Sequence, residues 1–270
     1  MIKVRKNYIV TILLVSFFLL SQVASSQRGG AITTSGTFSH DEVWSGEVHV
    51  TGDVVIPEGI TLTVRAGTTI TFTPNSSDND VKITVLDILG IDKCNLIVKG
   101  NLRIEGEKDS KTVIGELIYD LNRQTTITWG GIIFEGNNAN SIIEYSEIRH
   151  ADVAVLCVGS SMPRIVNSVI TNSDVGIMTF DLSSPRVTSN RIHNSTLWSI
   201  SCYDYSFPMI SYNIIESSEV GIGCEDFSSP IIQYNTFSNN SVDILIQDDS
   251  NPTKLGNIFK NNEVRTDIKG

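Results

Sequence analysis

Five ten-residue segments decide the fold of this 270-residue chain: PRIVNSVITN at 163–172, PRVTSNRIHN at 185–194, PMISYNIIES at 208–217, PIIQYNTFSN at 230–239 and PTKLGNIFKN at 252–261. Their prolines are 22, 23, 22 and 22 residues apart. Within each segment short apolar runs alternate with polar residues, as in brief β-strands separated by turns. A period near 22 with about three short strands predicts a parallel β-helix, an all-β solenoid whose coils stack about 4.8 Å apart.

Two columns of the repeat are rich in asparagine. Five residues after each proline stand Ser168, Asn190, Asn213, Asn235 and Asn257, and nine after it stand Asn172, Asn194, Ser217, Asn239 and Asn261. Turn asparagines adopt left-handed backbone angles, and amides stacked at the strand spacing bond one another. Both columns are interpreted as structural, including an asparagine ladder. A leucine-rich repeat, the rival architecture, needs more Leu than these strands contain.

The chain before the regular coils alternates as well. Apolar residues keep a mainly two-residue beat from Trp44 to Phe72, and the beat returns from Leu96 to Ile104. The segments 74–95 and 107–126 interrupt it and are predicted to leave the stack. We divide the chain into a leader (1–26), an amino-terminal cap with irregular first coils (27–128) and regular coils (129–270).

The leader has the features of a bacterial-type signal peptide. A basic start precedes an almost wholly apolar run from Tyr8 to Leu20, and the small residues Ala24, Ser25 and Ser26 follow it. That run is shorter than the roughly 20 residues that a membrane-spanning helix needs, although an uncleaved anchor is the alternative. We therefore expect a secreted, periplasmic or cell-surface protein with no stable membrane insertion after cleavage.

The net charge of the chain disfavours anionic partners. The whole chain carries a formal charge of −10, and the leader holds three of its 20 basic residues and none of its 30 acidic ones. The remainder, with 17 basic and 30 acidic residues, carries −13. Such a surface repels nucleic acid and anionic lipid, and it also keeps an exported protein soluble.

Several segments carry a resemblance to a known group of proteins. Trp44-Ser45-Gly46, the run Val54–Gly59, the run Ala66–Phe72 and Trp129-Gly130-Gly131-Ile132 resemble the opening of bacterial secreted right-handed parallel β-helix proteins. The carboxy-terminal coils resemble the repeats of the pectate-lyase-like superfamily. The resemblance implies a single-stranded right-handed β-helix but no particular activity, because that superfamily includes lyases, hydrolases, epimerases and proteins without known catalysis.

An acidic column decorates the regular coils. Asp181, Asp204, Asp226 and Asp248 occupy equivalent positions, and stacked carboxylates would lie roughly 5 Å apart. One interpretation is a cation site, with Asp204, Asp226 and Asp248 as calcium ligands, because calcium prefers oxygen ligands. The other interpretation is that these residues only shape turns. No cofactor other than calcium is suggested.

Aromatic residues flank this column and suggest carbohydrate binding. Aromatic rings offer apolar area with a defined face for a sugar, and an inward column would not accept Glu225 beside Phe180 and Tyr203. We therefore expect a non-catalytic carbohydrate-binding or surface-scaffold module whose partner is a polysaccharide or cell-surface glycan. The candidate binding residues are Asp181, Tyr203, Asp204, Tyr205, Glu225, Asp226, Phe227, Asp248 and Asp249.

Catalysis is the alternative, as a polysaccharide lyase or glycoside hydrolase that uses the Asp column on acidic polysaccharide. Gln247-Asp248-Asp249 resembles the paired Asp motif of polygalacturonase-type hydrolases, but no Gly-His-Gly or Arg-Ile-Lys accompanies it. Arg164 and Arg186 follow turn prolines in consecutive coils, which fits surface decoration better than a catalytic base. No catalytic residue is assigned.

Two further expectations concern the cysteines and the last coil. Cys157, Cys202 and Cys224 share a column with Thr179 and Ile246, which indicates core packing; whether Cys202 and Cys224 form a disulfide is left open. The last coil has no evident cap, so self-association through the carboxy-terminal coil is predicted.

Overall fold

The computed structural model describes residues 31–73, 93–115, 129–261 and 264–268. This part of the chain is a parallel β-solenoid, since the strands of successive coils pair in parallel throughout. Each regular coil contributes one strand to each of three stacks, here named A, B and C in chain order. Stack A has nine strands, which gives nine turns. The predicted all-β solenoid with coils of about 22 residues is confirmed.

The strands of stack A follow the turn proline of each regular coil. They are β2 (Glu42–Trp44), β4 (Thr61–Arg65), β7 (Asn101–Glu105), β10 (Ile142–Glu144), β13 (Arg164–Val166), β16 (Arg186–Thr188), β19 (Met209–Ser211), β22 (Ile231–Gln233) and β25 (Thr253–Leu255).

Stacks B and C complete each coil. Stack B contains β5 (Thr69–Phe72), β8 (Thr112–Ile114), β11 (Ser146–Arg149), β14 (Val169–Thr171), β17 (Arg191–His193), β20 (Ile214–Glu216), β23 (Thr236–Ser238) and β26 (Ile258–Lys260). Stack C contains β6 (Asn95–Val98), β9 (Gly131–Glu135), β12 (Val153–Val158), β15 (Val175–Thr179), β18 (Trp198–Cys202), β21 (Val220–Cys224), β24 (Val242–Ile246) and β27 (Val264–Ile268). The first strands, β1 (Ile32–Thr37) and β3 (Glu47–Ile56), run through both stacks.

The core is made of in-register columns of inward side chains. Ile165, Val187, Ile210 and Ile232 form one such column in stack A, and each is fully buried. Cys157, Cys202 and Cys224 lie in the core as predicted, as free thiols. Apolar burial of this kind is the main stabilising contribution, because each large aliphatic side chain contributes about 1.5–3 kcal/mol.

Stack C is apolar on its outer face too. Its outward column runs through Ile97, Ile133, Leu156, Met178, Ser201, Gly223 and Leu245. The first four of these are buried in a second hydrophobic cluster, separate from the core. Parallel sheets that are covered on both faces typically show such continuous apolar runs.

Single residues in the left-handed region turn the chain at two corners. Asn172, Asn194, Asn239 and Asn261 all have φ between 53° and 57° at the corner from stack B to stack C. The other asparagine column lies inside the corner from stack A to stack B, where Asn190 donates to Asn213 at 3.1 Å and Asn235 to Asn257 at 3.2 Å. Both columns are therefore structural, as predicted.

The predicted excursions are too wide at their ends. Thr112–Ile114, expected to leave the stack, pairs with β5 and β11, and Asn95 begins β6. The polar run 107–111 misled the interpretation because it forms only a tight turn, bridged between Glu107 and Ser110.

The last coil carries a charge at an inward position. Lys254 pairs with the core residue Ile232, yet it is exposed. A charge at such a position discourages the docking of another strand edge. Self-association through this coil stays a prediction.

The leader lies outside the described residues, so export stays a prediction too. Within 31–73, 93–115, 129–261 and 264–268, no helix is long and apolar enough to cross a membrane.

Candidate functional site

The acidic column lies on the turns that lead from stack C to stack A. In each four-residue turn, the N–H of the fourth residue donates to the carbonyl of the first. Ser206 donates in this way to Tyr203 at 3.0 Å, and Ser228 to Glu225 at 3.2 Å. Both central residues have positive φ, which is the signature of a type I′ turn. The central pairs are Asp181-Leu182, Asp204-Tyr205, Asp226-Phe227 and Asp248-Asp249.

This backbone explains why aspartate recurs. Asp226 has a φ of 48°, and Asp tolerates the left-handed region better than most side chains do. The turns also bond one another along the stack, since Tyr205 N–H donates to the Asp226 carbonyl and Phe227 N–H to that of Asp248, each at 3.0 Å. The column is thus a regular ladder of turns, here called the turn ladder, comprising residues 180–183, 203–206, 225–228 and 247–250.

The predicted calcium site is not preformed. No three His, Cys, Asp or Glu side chains among the residues with described positions are arranged to hold a metal ion. Asp181, Asp226 and Asp248 are exposed, and Asp204 is half-buried. Calcium binding by Asp204, Asp226 and Asp248 stays a prediction, and calorimetry without heat at millimolar calcium would reject it.

Two aromatic side chains of the turn ladder form an exposed pair. The rings of Tyr205 and Phe227 are stacked, with centroids 5.2 Å apart and planes 8° apart. They are 55% and 47% exposed, which is high for large apolar side chains. Because the rings overlap, each covers one face of its partner, and a ligand meets their edges and the two outer faces. Leu182, at the equivalent turn position one coil before Tyr205, and Phe207, just after the turn, are also exposed.

A second cluster lies on stack C where the turn ladder begins. Tyr203 meets Trp198 edge to face, with centroids 6.4 Å apart and planes 84° apart. Its hydroxyl lies close enough to the Glu225 carboxyl group in the next coil for the two to interact. The indole lies beside Gly223, so the cluster joins two aromatic rings and one carboxyl group.

The electrostatics of this cluster follow from its burial. Burial raises the pKa of Glu225; the Tyr203 hydroxyl opposes the rise, and the carboxylates of Asp248 and Asp226 add to it. Burial also raises the pKa of Tyr203, and Glu225 raises it further. Glu225 is therefore a carboxyl group that retains its proton more readily than an isolated one, next to carboxylates on the surface.

The face from stack C to stack A also carries a polar cleft in the first coils. Its volume is about 420 Å³, and Glu58, Lys99, Asn101, Asn137 and Asn140 line it. Sequence reasoning did not single out these residues, because their coils lack the regular spacing.

The structure brings the nine predicted binding residues together along four coils. Asp181 and Asp249 stand at the two ends of the turn ladder, and the other seven lie between them or in the adjoining cluster. Sequence reasoning missed Trp198 and Gly223. The signal was present, because Trp198 stands in a column otherwise filled by Val175, Val220 and Val242.

Sequence reasoning also missed a second exposed aromatic pair, which consists of two tyrosines. Tyr212 and Tyr234 stack at the corner from stack A to stack B, with centroids 5.2 Å apart and planes 19° apart. They are 59% and 44% exposed. No carboxylate column accompanies this pair at its own corner positions, which hold Ser189, Tyr212, Tyr234 and Gly256.

Comparison with known proteins gives one finding about the family. The model of the right-handed β-helix region matches residues 121–264, about half of the chain. No curated protein matches this sequence.

Proposed function

The chain belongs to the right-handed β-helix family, and on that premise we propose that it is a carbohydrate-binding module whose ligand lies along the turn ladder. The family's fold does not define an activity, so the proposal depends on the side chains of one face. The observation that carries it is the exposed Tyr205–Phe227 pair beside the column of Asp204 and Asp226.

Chemistry supports a sugar as the ligand of this surface. Sugars combine apolar C–H faces with hydroxyl groups, and they match a surface that alternates aromatic rings with hydrogen-bond acceptors. Because the turn ladder repeats at the coil spacing, it offers equivalent positions to successive residues of a polymer. An extended glycan of the cell surface or its surroundings fits such a repeated surface, and in this proposal the protein acts outside the cytoplasm.

A specific observation favours a second candidate function, hydrolysis or elimination on a polysaccharide. Glu225 has a raised pKa beside the carboxylates of Asp226 and Asp248. Carboxyl groups whose environments separate their pKa values are how glycosidases divide acid and base roles. The raised pKa alone assigns no role, so this reading is secondary.

Affinity measurements with neutral and acidic polysaccharides test the binding proposal. A Tyr205→Ala, Phe227→Ala double variant should lose most of its glycan affinity. The matched control is Tyr212→Ala, Tyr234→Ala, which removes a stacked pair of similar exposure at another corner and should bind normally. Equal binding by both variants rejects the turn ladder, and no binding by the unmodified protein leaves a surface scaffold as the working account.

Product analysis tests the catalytic candidate. Mass spectrometry after incubation with the same polysaccharides, with and without calcium, would detect shortened or unsaturated oligosaccharides. If they form, and an Asp204→Asn, Asp226→Asn variant does not form them, the Asp column is catalytic. Intact polymers in every incubation support binding without turnover.

A further inference from the structure

Trp198 breaks another outward column of stack C, distinct from the one that runs through Met178, Ser201 and Gly223. The equivalent positions in neighbouring coils hold Val175, Val220 and Val242, so a small β-branched side chain satisfies the fold there. The indole packs beside the cluster around Val175 and Met178 but is not fully buried. The other two tryptophans, Trp44 and Trp129, are each only 2% exposed. A large aromatic group at this position is therefore an addition to the fold rather than a requirement of it.

Gly223 provides the space that the indole occupies. A β-carbon at Gly223 would lie 3.5 Å from Cδ1 and 3.6 Å from Nε1 of Trp198. In the column of Gly223, the next coil has Leu245, and the two preceding coils have Ser201 and Met178. A Leu at position 223 would occupy the place of the indole, whereas a methyl group would only touch it.

Polar groups border the indole on the side of the turn ladder. Glu225 Oε1 lies 3.6 Å from the same β-carbon position, so the carboxyl group and the indole border one small area of sheet. The Tyr203 hydroxyl interacts with Glu225 from the neighbouring coil. A carboxylate accepts about four hydrogen bonds, so Glu225 has acceptor capacity for sugar hydroxyl groups as well as for Tyr203.

The geometry points to Trp198 as the platform of a sugar subsite, in which Glu225 and Tyr203 hold hydroxyl groups of the ring stacked on the indole, and to a glycan without carboxylates as its ligand. This inference rests on the proposed carbohydrate binding and adds its anchoring residue and the class of glycan. The subsite adjoins the turn ladder through Tyr203 and Glu225, so one chain can lie on both.

Charge selects the class of glycan. Asp226 and Asp248 lie close enough to Glu225 to disfavour its ionised form. The turn ladder itself contains neither Lys nor Arg in residues 180–183, 203–206, 225–228 or 247–250. A uronate polymer would bring further like charges to this face, whereas neutral hexoses, N-acetylated sugars and amino sugars would not.

Intrinsic fluorescence gives a direct readout, because Trp198 is the most accessible of the three tryptophans. Titration of the protein with cellohexaose, an N-acetylglucosamine hexamer or a glucosamine hexamer should change the emission with at least one of them. An oligogalacturonate hexamer should not. Binding of all four is measured in parallel by calorimetry.

Two variants separate the subsite from the fold. Trp198→Val installs the residue of the neighbouring coils, so the melting temperature should be kept while affinity falls by at least about tenfold. Gly223→Leu should displace the indole with a similar loss, and Gly223→Ala, whose methyl group fits at van der Waals distance, should bind normally.

The outcomes distinguish this inference from the proposed function. The Trp198 subsite is overturned if Trp198→Val still binds glycan normally and if glycan binding leaves the emission of the unmodified protein unchanged. This holds even if the Tyr205→Ala, Phe227→Ala variant no longer binds glycan. Tighter binding of the galacturonate hexamer overturns the assigned class. If no glycan binds the unmodified protein, the proposed function itself fails.

Discussion

Asn213 donates its side-chain amide to Oδ1 of Asn235, 3.0 Å away in the next coil. The same amide donates to the Val187 carbonyl, and its own oxygen accepts from the backbone and side chain of Asn190. All these groups are buried, so each bond that is lost leaves a polar group without water. The ladder is therefore satisfied only as a whole.

Replacing the middle of this ladder should destabilise the solenoid strongly. Asn213→Ala removes four hydrogen bonds in the interior, and each unsatisfied buried group costs about 1–3 kcal/mol. We expect the free energy of unfolding to fall by about 3 kcal/mol or more, measured by denaturant titration. The control is Asn194→Gly, because Asn194 is exposed with a φ of 57°, which glycine adopts freely. Equal losses in the two variants would contradict the structural role of the ladder.

Glu225 should make stability depend on pH. Its folded-state pKa is raised above the ordinary 4.5 by burial. The folded chain therefore holds the proton more tightly than the unfolded chain, and stability falls as pH rises from 4.5 through the raised pKa. Glu225→Gln cannot ionise, yet its amide oxygen remains a hydrogen-bond acceptor beside Tyr203.

Melting temperatures measured from pH 4 to pH 8 check this expectation. Glu225→Gln should melt above the unmodified protein at neutral pH, and the difference should vanish near pH 4. Asp181→Asn, which removes one exposed charge two coils away, serves as the control and should not reproduce the pattern. A constant difference at every pH would show that the carboxyl group does not titrate with folding.

The regular period made the fold predictable. Proline, isoleucine and asparagine columns repeat every 22 or 23 residues, and a solenoid stacks equivalent positions by construction. The same argument placed Cys202 and Cys224 in the core and Tyr203 and Glu225 in one outward column. Where the period fails, as around Thr112, a three-residue strand carries too little pattern to separate it from a loop.

The Trp198 cluster could be anticipated only in part. Columns reveal that Trp198 replaces valine, but they do not reveal which way an indole turns or that Gly223 in the next coil makes room for it. Nor does spacing show that Tyr205 and Phe227 face each other, which covers one face of each ring. Such details depend on side-chain rotamers rather than on the period.

The four cysteines should be unreactive in the folded protein. Cys94, Cys157, Cys202 and Cys224 are all fully buried. Burial also raises the pKa of the Cys157 thiol, which lowers its thiolate fraction further. We expect no alkylation by iodoacetamide under native conditions and four additions in denaturant, read by intact mass. Two additions in denaturant, rising to four after reduction, would reveal a disulfide, with Cys202 and Cys224 as the in-register pair.

The turn ladder should tolerate the loss of a charge better than a side chain that disfavours a positive φ. At Asp226, with a φ of 48°, a β-branched residue is strained, and the left-handed region costs about 1–2 kcal/mol. With a chelator present, Asp226→Val should melt below the unmodified protein, whereas Asp226→Asn, which tolerates the same backbone, should melt no lower than the unmodified protein. If Asp226→Asn were as damaging as Asp226→Val, the carboxylate itself would be needed for stability.

Melting the same variants in millimolar calcium tests whether the Asp column also binds a cation. If calcium raises the melting temperature of the unmodified protein but not that of Asp226→Asn, Asp226 is a calcium ligand. If the curves with and without calcium are identical, Asp226 is a residue of the turn alone.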